Sequence, residues 1–140
     1  MSFEPVFRTR VIHAHTDAMG IVYHGAVVPW LEAARVEYMR ARGLVYADLE
    51  RSGFGLPVVR LAVDYRSPGR HDDVVVVSCS ARRDGRARLR FAYQVDVVER
   101  VQAHVPIRMA EAETLHACVR TRDGRPVRLP AALCETLEAC

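Results

Sequence analysis

Residues 15–43 read HTDAMGIVYHGAVVPWLEAARVEYMRARG. The acidic residue Asp17 comes first, then Gly20 and the apolar run Ile21, Val22, Tyr23. Beyond them Val27, Leu31, Ala34, Tyr38 and Ala41 recur at i, i+4, i+7, i+11 and i+14, the spacing of one apolar stripe on a helix. Pro29 is compatible with a helix only in its first turn, where no intrahelical N–H is lost, so the helix must start between His24 and Val28. Gly43 is its expected stop. One carboxylate therefore stands just ahead of a largely buried helix.

Around this helix the chain alternates. Val6–His13 reads as a first strand, and Tyr46–Arg51 as one short helical turn ahead of Gly53 and Gly55. From Pro57 to Arg66, Val59, Leu61, Val63 and Tyr65 share one face, while Arg60, Asp64 and Arg66 share the other, as in a strand with one wet side. Asp73–Arg82 is a β-branched run without alternation, which points to burial on both faces or a central place in the sheet. After the turn Arg83, Asp84, Gly85, the segment Arg86–Val98 places Ala87, Leu89, Phe91, Tyr93, Val95 and Val97 opposite a polar face. Ile107–Arg122 reads as a returning strand, and Ala131–Ala139 as a terminal helix. The fold class is α+β, with one buried helix against an antiparallel sheet.

At 140 residues the length fits a single domain, 1–140, with no repeat or internal linker to divide it. Half the residues are hydrophobic and 26% are charged, the balance of a soluble globular protein, and no apolar run approaches the ~20 residues of a membrane span. The start MSFEPVFRTR has no signal-peptide core, so a cytoplasmic protein is expected. The net charge of +3, mixed with acids, does not support nucleic-acid binding and favours small anionic ligands. Cys79, Cys118, Cys134 and Cys140 lack C-x-x-C spacing and are expected as free thiols.

The string D-A-M-G-I-V-Y-H, the helix W-L-E-A-A-R, then G-L-P-V-V and Y-R-S-P-G-R-H-D-D resemble the hotdog-fold acyl-CoA thioesterases of the 4-hydroxybenzoyl-CoA thioesterase and YbgC type. The late strand A-E-T-L-H-A-C-V and the R-L-P before the last helix extend the resemblance over nearly the whole chain. It implies a five-stranded antiparallel sheet wrapped around one long central helix, and subunits paired into a continuous ten-stranded sheet. It also implies acyl-CoA hydrolysis without a cofactor. Asp17 takes the place of the catalytic carboxylate, and the backbone N–H of His24 that of the group polarising the thioester carbonyl. Tyr23, Pro57 and Val58 fall at the substrate pocket, and Arg86 and Arg88 where related thioesterases place basic residues near the phosphates of coenzyme A. Three features depart from the pattern: Pro29, Ala112 where glycine is common, and the long connection from Arg100 to Pro106, which could alter the substrate mouth.

The chemistry suits these residues. Asp17 can form a mixed anhydride or act as a general base. The unpaired N–H groups and positive dipole end at His24 and Gly25 can hold the charge that grows on the carbonyl oxygen. A thiolate of pKa about 8.5 leaves readily, so a second acid is dispensable. By position alone Asp17 could equally be a turn or N-cap residue, Tyr23 a core residue, and the two arginines a solvated strand face. His13, His15 and Asp17 alternate like metal ligands, but no distant fourth ligand stands out and no metal is expected. His71, His104 and His116 read as structural or surface residues. The rivals are a hotdog module that binds acyl-CoA or acyl-carrier protein without turnover, which could dispense with Asp17, and a hotdog dehydratase, whose His-acid motif is missing. Acyl identity, the thiol handle and dimer against tetramer stay open.

Overall fold

A computed structural model describes residues 2–138. The expected end of the last helix at Ala139, and Cys140, lie outside the described residues. In chain order the elements are β1 (Glu4–Arg10), α1 (Val27–Arg40), α2 (Tyr46–Arg51), β2 (Phe54–Gly55), β3 (Val58–Tyr65), β4 (Val74–Arg83), β5 (Arg88–Glu99), β6 (Ile107–Ala117), β7 (Val119–Arg120) and α3 (Ala131–Glu138). Five of the strands form an antiparallel sheet in the order β1-β4-β5-β6-β3, and β2 pairs with β7 alone.

Helix α1 begins as expected. A single tight turn, His24–Ala26, leads into it, and Pro29 lies in its first turn. At the other end Gly43 has φ +82°, and Leu44 N–H reaches back to Met39 O (2.9 Å), so a glycine closes the helix where a side chain would be strained. The buried stripe is wider than the spacing alone gave: Val27, Leu31, Ala34 and Tyr38 are joined by Trp30 and Met39, while Ala41 is exposed. In one buried cluster with α1 are Val75, Val77 and Cys79 of β4 and Phe91, Tyr93 and Val95 of β5, the Phe91 ring edge-on to Tyr38. Burial pushes the Cys79 thiol up to about 12.

Three expectations need correction. The first strand ends at Arg10, because the chain turns at Val11, whose N–H donates to Asp73 O (2.8 Å), and His13–His15 then coil into a tight turn. The stretch 107–122 is not one strand. It breaks at Cys118, whose N–H crosses to Ala87 O (2.7 Å), and Val119–Arg120 then pairs with Phe54–Gly55. The third correction concerns β3, where the face expected to be covered is open: Leu61 is 42% and Tyr65 50% exposed. These residues pair with Thr114 and Ala110 of β6 at the edge of the sheet, beyond the reach of α1, which packs on β1 and β4.

Inside the sheet His116 is fully buried rather than a surface residue. Its Nδ1 lies 2.8 Å from Leu56 O, which can only accept, so Nδ1 carries the proton. Nε2 then accepts from the Thr114 hydroxyl (2.8 Å), and Thr114 accepts from Tyr93 (2.7 Å). Burial lowers the His116 pKa, outweighing the bond to Leu56, so the folded chain keeps the ring neutral. An unfolded histidine takes up a proton near pH 6.5, so this contribution to stability is complete above that value and is lost as pH falls below it. The urea midpoint should accordingly drop between pH 7.5 and 5.5, and drop less in His116→Gln. An equal slope in both chains would remove His116 as the cause.

Candidate active site

Asp17 sits at the tip of a loop that folds back on itself. Its N–H donates to Ile21 O (3.0 Å), Gly20 N–H donates to Asp17 O (3.0 Å), and Oδ1 accepts Met19 N–H (2.8 Å). Gly20, at φ +77°, permits the reversal. The carboxylate is exposed, and among the described residues no donor lies on Oδ2. The turn role open in the sequence is therefore real, and it uses one oxygen only.

Asp17 opens onto a cleft of about 370 Å³ that is also lined by Ile21, His24, Tyr65, Pro68 and Met109. The far wall, Ser67–Gly69, approaches closely: a Cβ on Gly69 would press on Val22 and Met109. His24 opens the turn that leads into α1. Among the described residues the N–H groups of His24 and Gly25 donate to no backbone carbonyl, and both lie where the helix dipole is positive. Tyr65 donates its hydroxyl to His24 O (2.6 Å), and burial together with the nearby Tyr23 phenol raises its pKa, keeping it a donor. Tyr65 thus ties the helix entrance to the edge strand. The Tyr23 ring lies over Gly25 so closely that a Cβ there would overlap the phenol. A side chain there would have to push the phenol aside, and Tyr23, 44% exposed, is a surface residue and not a core one, outside the residues that line the cleft.

The remaining expected site residues stand apart from Asp17 within one chain. Pro57 and Val58 are exposed at the opposite end of β3 from Tyr65, seven residues or about 23 Å along the strand. Arg88 faces Ala117 at the far end of β6 from Met109. Arg86 lines a second cleft, of about 400 Å³, with Arg83, Arg128 and Cys134. His13 stacks on His71, ring centroids 3.8 Å apart, and among the described residues no group of three or more His, Cys, Asp or Glu is placed to hold a metal ion. Tyr65, Pro68, Gly69 and Met109 were missed as cleft residues. The string Y-R-S-P-G marked the segment of the first three in the sequence, and nothing marked Met109.

A sheet of this order wrapped on one helix, with a carboxylate at the helix entrance, defines a hotdog-fold thioesterase. The chain belongs to the thioesterase-like superfamily, which it matches over residues 11–137. It is similar to the hypothetical protein TT1821 from Thermus thermophilus, with 34% identity and a TM-score of 0.84 over 97% of this chain and 98% of that one. It is 28% identical over 124 residues to the acyl-CoA thioester hydrolase YbgC of Escherichia coli O6:H1, covering 89% of this chain and 88% of the relative. To sll0410 of Synechocystis sp. it is 39% identical over 90 residues, which is 64% of this chain and about half, 54%, of the relative's length. No helix among the described residues is long and apolar enough to cross a membrane.

Proposed function

We propose that the chain hydrolyses acyl-CoA thioesters to a free carboxylic acid and CoA, with Asp17 as nucleophile or general base and the N–H groups of His24 and Gly25 holding the carbonyl oxygen. The observation that carries this reading is the meeting of a half-engaged carboxylate and an open helix entrance in one cleft. Attack on the thioester carbon moves a pair of electrons onto the carbonyl oxygen, which hydrogen bonds from the helix entrance stabilise. Collapse expels the thiolate. If Asp17 attacks, water then hydrolyses the mixed anhydride; if it acts as base, it takes the proton of the attacking water. The acyl-CoA handle is supported by the similarity to the acyl-CoA thioester hydrolase YbgC, and an acyl-carrier protein as handle stays an alternative donor.

The working unit in this reading is a dimer or a tetramer built on it. The exposed edge of β3 carries unpaired backbone groups and the apolar side chains of Val58, Val59, Leu61 and Tyr65. Antiparallel pairing of two such edges about a two-fold axis would continue the sheet and cover these residues. The same operation sets the Tyr65 end of one β3 opposite the Val58 end of the other. Pro57 and Val58 of the second copy then border the Asp17 cleft, and the Arg88 end of its sheet approaches as well. Residues that one chain holds about 23 Å apart thus become neighbours.

The arginines give the test of the handle. Arg86 and Arg88 are exposed, so their charge-assisted contacts fall below the roughly 1.5–3 kcal/mol of sheltered ones. Arg86→Ala/Arg88→Ala should raise KM for an acyl-CoA with kcat little changed, because the phosphates are remote from the carbonyl. The same acyl group on pantetheine, which lacks the nucleotide, should be hydrolysed equally by parent and variant. Equal losses on both substrates would place these arginines in the fold or the acyl pocket.

A further inference from the structure

The long connection after β5 supplies Arg100, and its guanidinium turns inward. It grips Asp73 with two bonds, Nε to Oδ1 (3.0 Å) and Nη2 to Oδ2 (2.8 Å). Asp73 is 2% exposed and the Arg100 side chain 15%. Both groups also hold backbone: Arg100 Nη2 donates to Pro68 O (3.0 Å), and Asp73 Oδ2 accepts Arg70 N–H (2.7 Å). The segment 68–73 is therefore clamped from inside the protein.

Both ends of the loop that carries Asp17 are fastened to this segment. On the near side, Val11 N–H donates to Asp73 O (2.8 Å) and Asp72 N–H to Val11 O (2.9 Å). On the far side, Val22 N–H donates to Gly69 O (2.8 Å), and Ile21 bridges Arg70. Ile21 O in turn accepts the Asp17 N–H (3.0 Å), and Pro68 and Gly69 form a wall of the cleft. Neither Asp73 nor Arg100 lines the cleft itself.

We infer that the buried Asp73–Arg100 pair is a positioning element for catalysis, which sets where the Asp17 carboxylate stands relative to the opposite wall of the cleft. The inference rests on the assignment of Asp17 as the reacting carboxylate. A misplacement of about 1 Å in such a group can cost 10²-fold in rate, whereas an ion pair that merely holds the fold alters the amount of folded protein and leaves the rate per folded site intact. A bidentate guanidinium spans two carboxylate oxygens and a carbonyl at once, which an ammonium does not.

The test is a kinetic cycle of Arg100→Lys and Asp17→Asn, with active chains counted by their cooperative unfolding and rates taken well below the melting transition. Arg100→Lys should keep the fold and lower kcat by roughly 10- to 100-fold with KM little changed. In the Asp17→Asn background the same substitution should cost almost nothing more, because the carboxylate it positions is gone. A parent-like kcat in Arg100→Lys beside an impaired Asp17→Asn overturns the inference alone, as do losses that multiply in the double variant. A parent-like rate in Asp17→Asn overturns the assignment of Asp17 and this inference with it. Should Arg100→Lys fail to fold, the neutral pair Asp73→Asn/Arg100→Gln, which leaves no unpaired buried charge, takes its place in the cycle with the same expected and overturning outcomes.

Discussion

Asp17→Asn is expected to retain the fold and oligomer while slowing acyl-CoA hydrolysis by roughly 10²-fold or more, the loss typical when a general base or nucleophile is removed. The substitution separates the turn role that the structure shows from the catalytic role proposed for this residue. An asparagine oxygen still accepts the Met19 N–H that Asp17 Oδ1 accepts, so the turn persists. What disappears is the negative charge and the second carboxylate oxygen. A residue that served the turn alone would leave the rate unchanged, and equal kcat values for parent and variant, measured at the same concentration of folded chain, would return Asp17 to that structural role.

The second large effect is expected at the edge strand. Leu61→Arg replaces a side chain that is 42% exposed in the single chain, so the isolated subunit should fold almost as before. In the paired sheet the same arginine would be buried without a partner, at a cost of several kcal/mol. Sedimentation should therefore show a monomer, and hydrolysis should fall by about two orders of magnitude or more, since each cleft then lacks the Pro57–Val58 border that the second copy supplies in the proposed dimer. Mixing provides a control. Asp17→Asn chains and Val58→Arg chains, each impaired alone, should regain activity when exchanged into hybrid dimers, because one cleft in each hybrid then carries neither change. A monomer as active as the parent at assay concentration would contradict the shared site.

Much of the architecture was legible because it follows from periodicity. The 3.6-residue stripe of Val27, Leu31, Ala34 and Tyr38 and the two-residue alternation of Leu89 to Val97 are one-dimensional records of single packed faces, and both recur in the structure as read. Ala41 fell outside because it is the cap residue past Arg40, still helical in φ and ψ with its N–H on Glu37 O, yet exposed beyond the last buried turn. The β3 face could not be read correctly from alternation alone, because Leu61 and Tyr65 carry the pattern of a covered strand yet stand exposed in the chain. Breaks such as Cys118 depend on a partner strand elsewhere, Phe54–Gly55, too short to leave a pattern.

The site was legible to a different degree. Asp17, His24 and Gly25 lie in one short segment, and their common position follows from the helix start. The opposite wall, Tyr65 to Gly69, comes from a loop some fifty residues later, and the pair Asp73–Arg100 joins residues 27 apart. Neither contact has a local signature. The long connection 100–106 stood out in the sequence as a departure that could reshape the mouth. It also carries Arg100, whose guanidinium turns inward to the clamp on Asp73.

The most direct measurement is thiol release from a panel of acyl-CoA esters, aromatic, short-chain and long-chain, followed with a thiol reagent over many turnovers. Catalytic release from at least one ester by the parent chain, saturable in substrate and strongly diminished in Asp17→Asn, is the predicted result. Saturable binding of the esters with no thiol release beyond the spontaneous rate would contradict it and identify the chain as an acyl-CoA-binding module of the same fold.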